Sequence, residues 1–166
     1  MDRTLVLLRH AKADRPNGVA DVDRPLTERG HADSAAAGAW LVKHGHVPDL
    51  VLCSPSKRTR QTWHSVAVAL AGTGSPDVHY ERAVYDGSAG ELLKVVQSAP
   101  GTARVVMLIG HNPTISHLSQ LLDPDSELDS DGLRTCGIAV HRVSSDDWAS
   151  VQSAPLTTVH TARALS

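Results

Sequence analysis

Three short apolar runs, each ending in residues that can do chemistry, constrain this chain more than any other feature. Residues 4–8 (TLVLL) lead straight into Arg9-His10. Residues 50–53 (LVLC) lead into Ser54-Pro55, with Arg58 shortly after. Residues 104–109 (RVVMLI) lead into Gly110-His111-Asn112-Pro113. The first of these, continuously apolar rather than alternating, reads as a strand buried on both faces, as in a parallel sheet covered by helices, and 104–109 is the strongest strand signal in the chain. The intervening stretches read as helices. The first, over 28–44, is rich in Ala, capped by Thr27 and stopped at Gly45. A second starts at the Ser54-Pro55 cap and runs to about Leu70, a third covers 89–98, and Pro113 opens a fourth through about Leu122. Residues 78–81 add a strand, and 11–26, with Pro16, Gly18 and Pro25, form a loop. Beyond Gly137 the pattern predicts two antiparallel strands, 138–143 (IAVHRV) and 148–152 (WASVQ), joined by a Ser-Ser-Asp-Asp turn. The expected fold is therefore α/β: a mostly parallel central sheet flanked by helices, with antiparallel C-terminal strands, in a single domain over 1–166.

Composition narrows the class. Hydrophobic residues make up 41% and charged residues 20%, enough for a core without cross-links. Aromatics are 3% with no Phe, so Val, Leu, Ala and Ile must build that core. Lys+Arg is 16 against Asp+Glu 18, a net charge of −2. That balance disfavours a general nucleic-acid or membrane surface but leaves room for a local basic pocket. Cys53 and Cys136 cannot make a disulfide framework and suit a reduced compartment. The N-terminal apolar run is too short for a signal peptide, and no stretch approaches the roughly 20 residues of a membrane span. A cytoplasmic protein is expected, with no nucleic-acid or membrane partner.

Ligands of open α/β sheets bind outside the carboxyl ends of the strands. Arg9, His10, Arg58 and His111 are thus candidates to meet in one crevice, with helix N-termini near Pro55 and Pro113 aimed at it. Such a pocket suits a compact dianion such as a phosphoryl group, and the planar fork of Arg binds two of its oxygens at once. A single strand-end histidine is more often structural, and a single first-turn arginine more often solvated. Four of them at three corresponding strand ends are poorly explained by coincidence. Lys12, Arg15 and Arg24 lie near the expected mouth and read as loop charges, with Arg24 ordering the loop.

Rival chemistries fit less well. A cysteine phosphatase loop needs five residues between Cys and Arg, and neither Arg58 nor Arg60 stands at that distance from Cys53. The acidic run 127–132 mimics the start of a calcium loop, but Ile138 stands where a bidentate Glu is required. His44 and His46, or His111 and His117, lack the spacing of a metal pair, so surface or helix-end histidines are the simpler account.

The motifs resemble a known family. Leu8-Arg9-His10-Ala11 resembles the Arg-His-Gly signature of the histidine phosphatase superfamily, with Ala in the Gly position. The segment 54–62 (SPSKRTRQT) is similar to its Ser-Pro-x-x-Arg-x-x-Gln-Thr motif, and Gly110-His111-Asn112-Pro113 resembles its second histidine motif. The short length and the segment 23–30 (DRPLTERG) are most similar to SixA-type phosphohistidine phosphatases. The resemblance covers about residues 3–122 and implies a phosphoglycerate mutase-like fold. It also implies a metal-independent, cofactor-free phosphatase in which His10 is the nucleophile and a phosphohistidine intermediate forms. Arg9, Arg58 and His111 would hold the phosphoryl oxygens, with His111 protonated when phosphate is bound. Larger members place a general-acid Glu after the third strand, which here points to Glu81. Little chain remains between Arg58 and His111 for a lid, so an open site is expected. An open site suits phosphohistidine in a phosphorylated protein. The alternatives are a phosphomonoesterase acting on a small metabolite and, in another class, a non-catalytic phosphate-binding module.

Overall fold

The computed structural model describes residues 2–165. In chain order it contains β1 (Arg3–Arg9), α1 (Glu28–Lys43), β2 (Leu50–Cys53), α2 (Lys57–Leu70), β3 (Asp77–Tyr80) and α3 (Arg82–Asp86). There follow α4 (Ala89–Gln97), β4 (Val105–Gly110), α5 (Thr114–Leu122), β5 (Gly137–Val143) and β6 (Leu156–Thr161). One sheet has the order β3-β2-β4-β1-β5-β6. Its first four strands are parallel, and β5 and β6 are antiparallel to their neighbours.

Side chains alternate across the sheet and divide the core into two layers. Leu5, Leu7, Leu52 and Leu108 pack with α4, α5 and Trp148. Val6, Leu8, Val51 and Ile109 pack with α1 and α2. With no Phe to fill space, the helices come close. A Cβ on Gly38 of α1 would stand 2.6 Å from the Val66 carbonyl oxygen and 2.7 Å from the Ala69 Cβ of α2.

Register brings the strand ends level. Arg9 of β1 pairs with Gly110 of β4, and Cys53 of β2 pairs with Ile109. The next residues continue the ladder: the His10 N–H donates to the Gly110 carbonyl at 3.0 Å and the Ser54 N–H to the Ile109 carbonyl at 3.1 Å. His10, Ser54 and His111 therefore leave the sheet at one height.

The structure corrects three local expectations. The cap of α2 is Ser56, whose Oγ accepts from the Thr59 N–H, and not Ser54-Pro55. Ser54 stands before the helix, where its Oγ accepts from the Ser56 N–H at 3.3 Å and faces the site. The five-residue α3 is too short to show periodicity and was not expected. Residues 148–152 form no strand: Trp148 is fully buried and its Nε1–H donates to the Ala103 carbonyl at 2.8 Å. The last strand is instead the Thr-rich β6, an exposed edge.

Candidate active site

The four residues expected to converge do so, in a cavity of about 360 Å³ at the carboxyl ends of β1, β2 and β4. Arg9 closes β1, and its Nη1 donates to the Leu133 carbonyl at 3.0 Å. His10 follows, buried, with Nδ1 2.7 Å from the Ala11 carbonyl oxygen. A carbonyl only accepts, so Nδ1 carries the proton and the Nε2 lone pair is left free. Burial pushes the His10 pKa down to about 4, with the charges of Arg58, Arg9 and Arg24 adding to it and the Ala11 carbonyl opposing. His10 is thus a neutral imidazole at neutral pH with one tautomer imposed.

Arg58 stands on the first turn of α2 and is buried. Its Nη1 donates to the Asp21 carbonyl at 2.7 Å, and its Nη2 donates to Asp21 Oδ2 at 3.1 Å and to His111 Nδ1 at 3.2 Å. His111 must therefore accept at Nδ1 and donate from Nε2, which reaches Ser54 Oγ at 2.8 Å. Its pKa is pushed down to about 3, first by burial and then by His10 and Arg58. The two imidazoles lie 5.2 Å apart, centroid to centroid. The Nε atoms of Arg9 and Arg58 are buried and have no partner among the described residues. A cavity lined by neutral rings and clustered guanidinium groups is suited to receive an anion.

The other motif residues brace this arrangement. The Thr62 hydroxyl accepts from the Ala11 N–H at 3.1 Å and donates to the Arg58 carbonyl at 2.8 Å, linking the segment after β1 to the first turn of α2. Gln61 Oε1 accepts from the Leu26 N–H at 2.8 Å and so anchors the long loop after β1. Gly30 lets that loop cross α1, since a Cβ there would collide with the Lys12 carbonyl oxygen.

Glu81 is not brought to the cavity. Its N–H donates to the Cys53 carbonyl at 2.9 Å, extending the β2–β3 ladder by one residue, and it then caps the start of α3. One helical turn later Tyr85 reaches the site, its ring edge-on to His111 with the ring centroids 5.4 Å apart and its hydroxyl donating to Asp21 Oδ2 at 2.6 Å. Cys53 is buried in β2 and its thiol is pushed up to about 12 by burial, against a nucleophilic role. Among the described residues no three His, Cys, Asp or Glu side chains are grouped to hold a metal ion.

Sequence reasoning missed Asp21, Ser54 and Tyr85 as site residues. Asp21 lies in a single 3-10 turn, Asp21–Asp23, of the loop after β1, and its only signal was proximity to Arg24. Its Oδ1 accepts from Arg24 Nη1 at 3.2 Å. The Tyr85 hydrogen bond foremost, then Arg58 and Arg24, hold its carboxyl well below the usual carboxylate range.

Comparison with known proteins agrees with this geometry. A family profile of the histidine phosphatase superfamily (branch 1) matches residues 5–92. An uncharacterized protein of Mycobacterium tuberculosis is 36% identical over 152 residues, covering 87% of this chain and 92% of that protein. A chloroplastic, uncharacterized protein of Arabidopsis thaliana is 31% identical over 156 residues, 89% of this chain and 70% of that one. Among solved structures, the Nakamurella multipartitia protein designated phosphohistidine phosphatase SixA has a TM-score of 0.83 at 35% identity, covering 98% of this chain and 97% of that one. Its counterpart from Agrobacterium tumefaciens has a TM-score of 0.80 at 28% identity, covering 95% and 97%. The chain belongs to the histidine phosphatase superfamily and is, at that level, a phosphatase. No helix among the described residues is long and apolar enough to cross a membrane.

Proposed function

We propose, with membership of the histidine phosphatase superfamily as the premise, that the chain removes phosphate from phosphohistidine in proteins through a His10-phosphate intermediate. One observation carries the choice of substrate. The one carboxylate among the described residues that line the pocket, Asp21, is held ionised by Tyr85, Arg58 and Arg24, so it is unsuited to protonate a leaving alkoxide. An imidazole leaving group carries its own proton and does not need that help. The designation that the Nakamurella and Agrobacterium structures carry supports the same substrate class.

In this reading the His10 Nε2 lone pair attacks phosphorus while the Ala11 carbonyl keeps the proton on Nδ1. Arg9 and Arg58, which line the pocket together with His10, bind the equatorial oxygens. The incoming dianion offsets the burial that keeps His111 neutral, so His111 takes up a proton at Nδ1 and gives Arg58 over to the phosphate. Water then hydrolyses the N–P bond of phosphorylated His10, releasing inorganic phosphate and regenerating the imidazole. These groups supply the positive charge, and no metal or cofactor is called for.

The test is a turnover assay in a chelating buffer with a phosphohistidine protein, an aryl phosphate and an alkyl phosphate. The expected order of kcat/KM is phosphohistidine, then aryl, then alkyl. An alkyl phosphate turned over fastest overturns the substrate in favour of a metabolite phosphomonoesterase. Phosphate binding without turnover of any substrate overturns the enzyme in favour of a binding module.

A further inference from the structure

The phosphoryl chemistry leaves a second cavity unused. It measures about 380 Å³ and is lined by Ala20, Asp21, Val22, Pro55, Arg82 and Tyr85. Most of this lining is apolar, and the Arg82 guanidinium is turned to Asp86, with Nε donating to Oδ2 at 3.1 Å. The cavity meets the catalytic pocket at one residue, Asp21, which lines both. Three donors already reach the Asp21 carboxylate, yet the side chain is still 52% exposed, so an oxygen can take one more donor from the crevice.

We infer that this cavity is the leaving-group subsite, a slot for the imidazole ring of a phosphohistidine side chain, with Asp21 accepting the N–H of the ring nitrogen that does not bear phosphorus. The inference rests on the phosphohistidine reading above. In-line transfer to His10 sends the leaving atom away from the nucleophile, and the second cavity adjoins the pocket through Asp21. The faces of Val22, Pro55 and Tyr85 suit a flat aromatic ring. The Asp21 charge suits that ring in its protonated state.

The step balances without a proton donor. His10 Nε2 supplies the electron pair of the new N–P bond. The substrate N–P bond breaks and its pair stays on the departing nitrogen, so the protonated ring leaves as neutral imidazole, still holding its distal proton. An anion beside that distal nitrogen keeps the ring protonated until transfer. The same anion opposes an alkyl phosphate, whose leaving oxygen gathers negative charge. Asp21 thus acts as a specificity-determining residue, separating N-phosphates from O-phosphates.

Asp21→Asn removes the charge and keeps the shape, with the amide oxygen still able to accept from Arg58 or Tyr85. The measurement is the ratio of kcat/KM on a phosphohistidine peptide to kcat/KM on an aryl phosphate, which cancels any general loss from a displaced Arg58. The ratio is expected to fall by about tenfold or more, the effect of about one unit in the ring pKa. A parallel variant, Val22→Trp, fills the slot and is expected to lower the ratio of phosphohistidine to phosphoramidate, which has no ring, by a similar factor of about ten. Equal losses on both substrates in Asp21→Asn overturn the inference, because Asp21 then serves only to place Arg58. An unchanged ratio in Val22→Trp overturns the slot. Wild-type protein that cleaves the aryl phosphate and not phosphohistidine overturns this inference together with the function it rests on. Wild-type activity on phosphohistidine with unchanged variant ratios overturns the inference alone.

Discussion

His141, in the middle of β5, and His10, one residue beyond β1, are both buried, and burial pushes both rings toward the neutral form. They differ in what happens to the second ring nitrogen. His141 Nδ1 donates to the Ala154 carbonyl at 2.8 Å, and Nε2 accepts from the Ser119 hydroxyl at 2.7 Å. Its hydrogen-bonding capacity is used up between α5 and the segment before β6. His10 spends one nitrogen on Ala11 and keeps the other lone pair unclaimed, at a strand end where the sheet opens into a cavity. A depressed pKa therefore marks burial in both cases, and only His10 keeps a ring nitrogen available for the proposed attack. The free lone pair beside Arg9 and Arg58 is what distinguishes the site.

The sharpest way to break this contrast is to remove each ring in turn. His10→Ala should lower kcat by on the order of a thousandfold or more while leaving circular dichroism and the melting temperature near wild type. Phosphate trapped on the wild-type protein should be acid-labile and alkali-stable. Substantial activity in the folded variant would remove His10 from the chemistry. His141→Ala should do the reverse. It leaves Ser119 and the Ala154 carbonyl unpaired around a cavity, costing roughly 2–3 kcal/mol in urea unfolding, with kcat per folded molecule preserved.

Acid should separate activity from stability. His10 must be unprotonated to attack, so the acid limb of kcat/KM should fall near pH 4 rather than near the 6.5 of a free imidazole. Stability should respond earlier. Between about 6.5 and 4 the unfolded rings of His10, His111 and His141 bind protons that the folded rings resist, so stability is lost as pH falls through that window. The expected result at about pH 5 is a lower urea midpoint with most of kcat/KM retained. An acid limb near 6.5 would mean that His10 is not held neutral. The smallest effect is expected from Glu81→Gln. Glu81 does not line the pocket, so each substrate should change by less than about twofold. A large loss confined to alkyl phosphates would restore Glu81 as the general acid.

Much of this was legible before any coordinates. Apolar runs without alternation are buried on both faces, so 4–8, 50–53 and 105–109 announced parallel strands, and their polar ends announced the place of the site. Arg9, His10, Arg58 and His111 sit next to those strand ends or on the following helical turn, where local geometry alone carries them to the crevice. Residues whose position depends on a long excursion were not legible. Asp21 arrives through a loop anchored by Gln61, and Tyr85 through a five-residue helix with no periodic signal. The C-terminal region escaped for the same reason. Residues 148–152 look like a strand, yet burying Trp148 against the first core layer outweighs that preference, and Thr-rich 156–161 takes the sheet edge instead. The sequence by itself determined the buried strands β1, β2 and β4, their parallel sense and which side chains stand at their ends, because those follow from burial within a few residues. Only the tertiary structure decided which ring nitrogen is free, which carboxylate is held charged and where the leaving group can lie. Those depend on partners far apart in the chain that meet only once the sheet is closed by its helices.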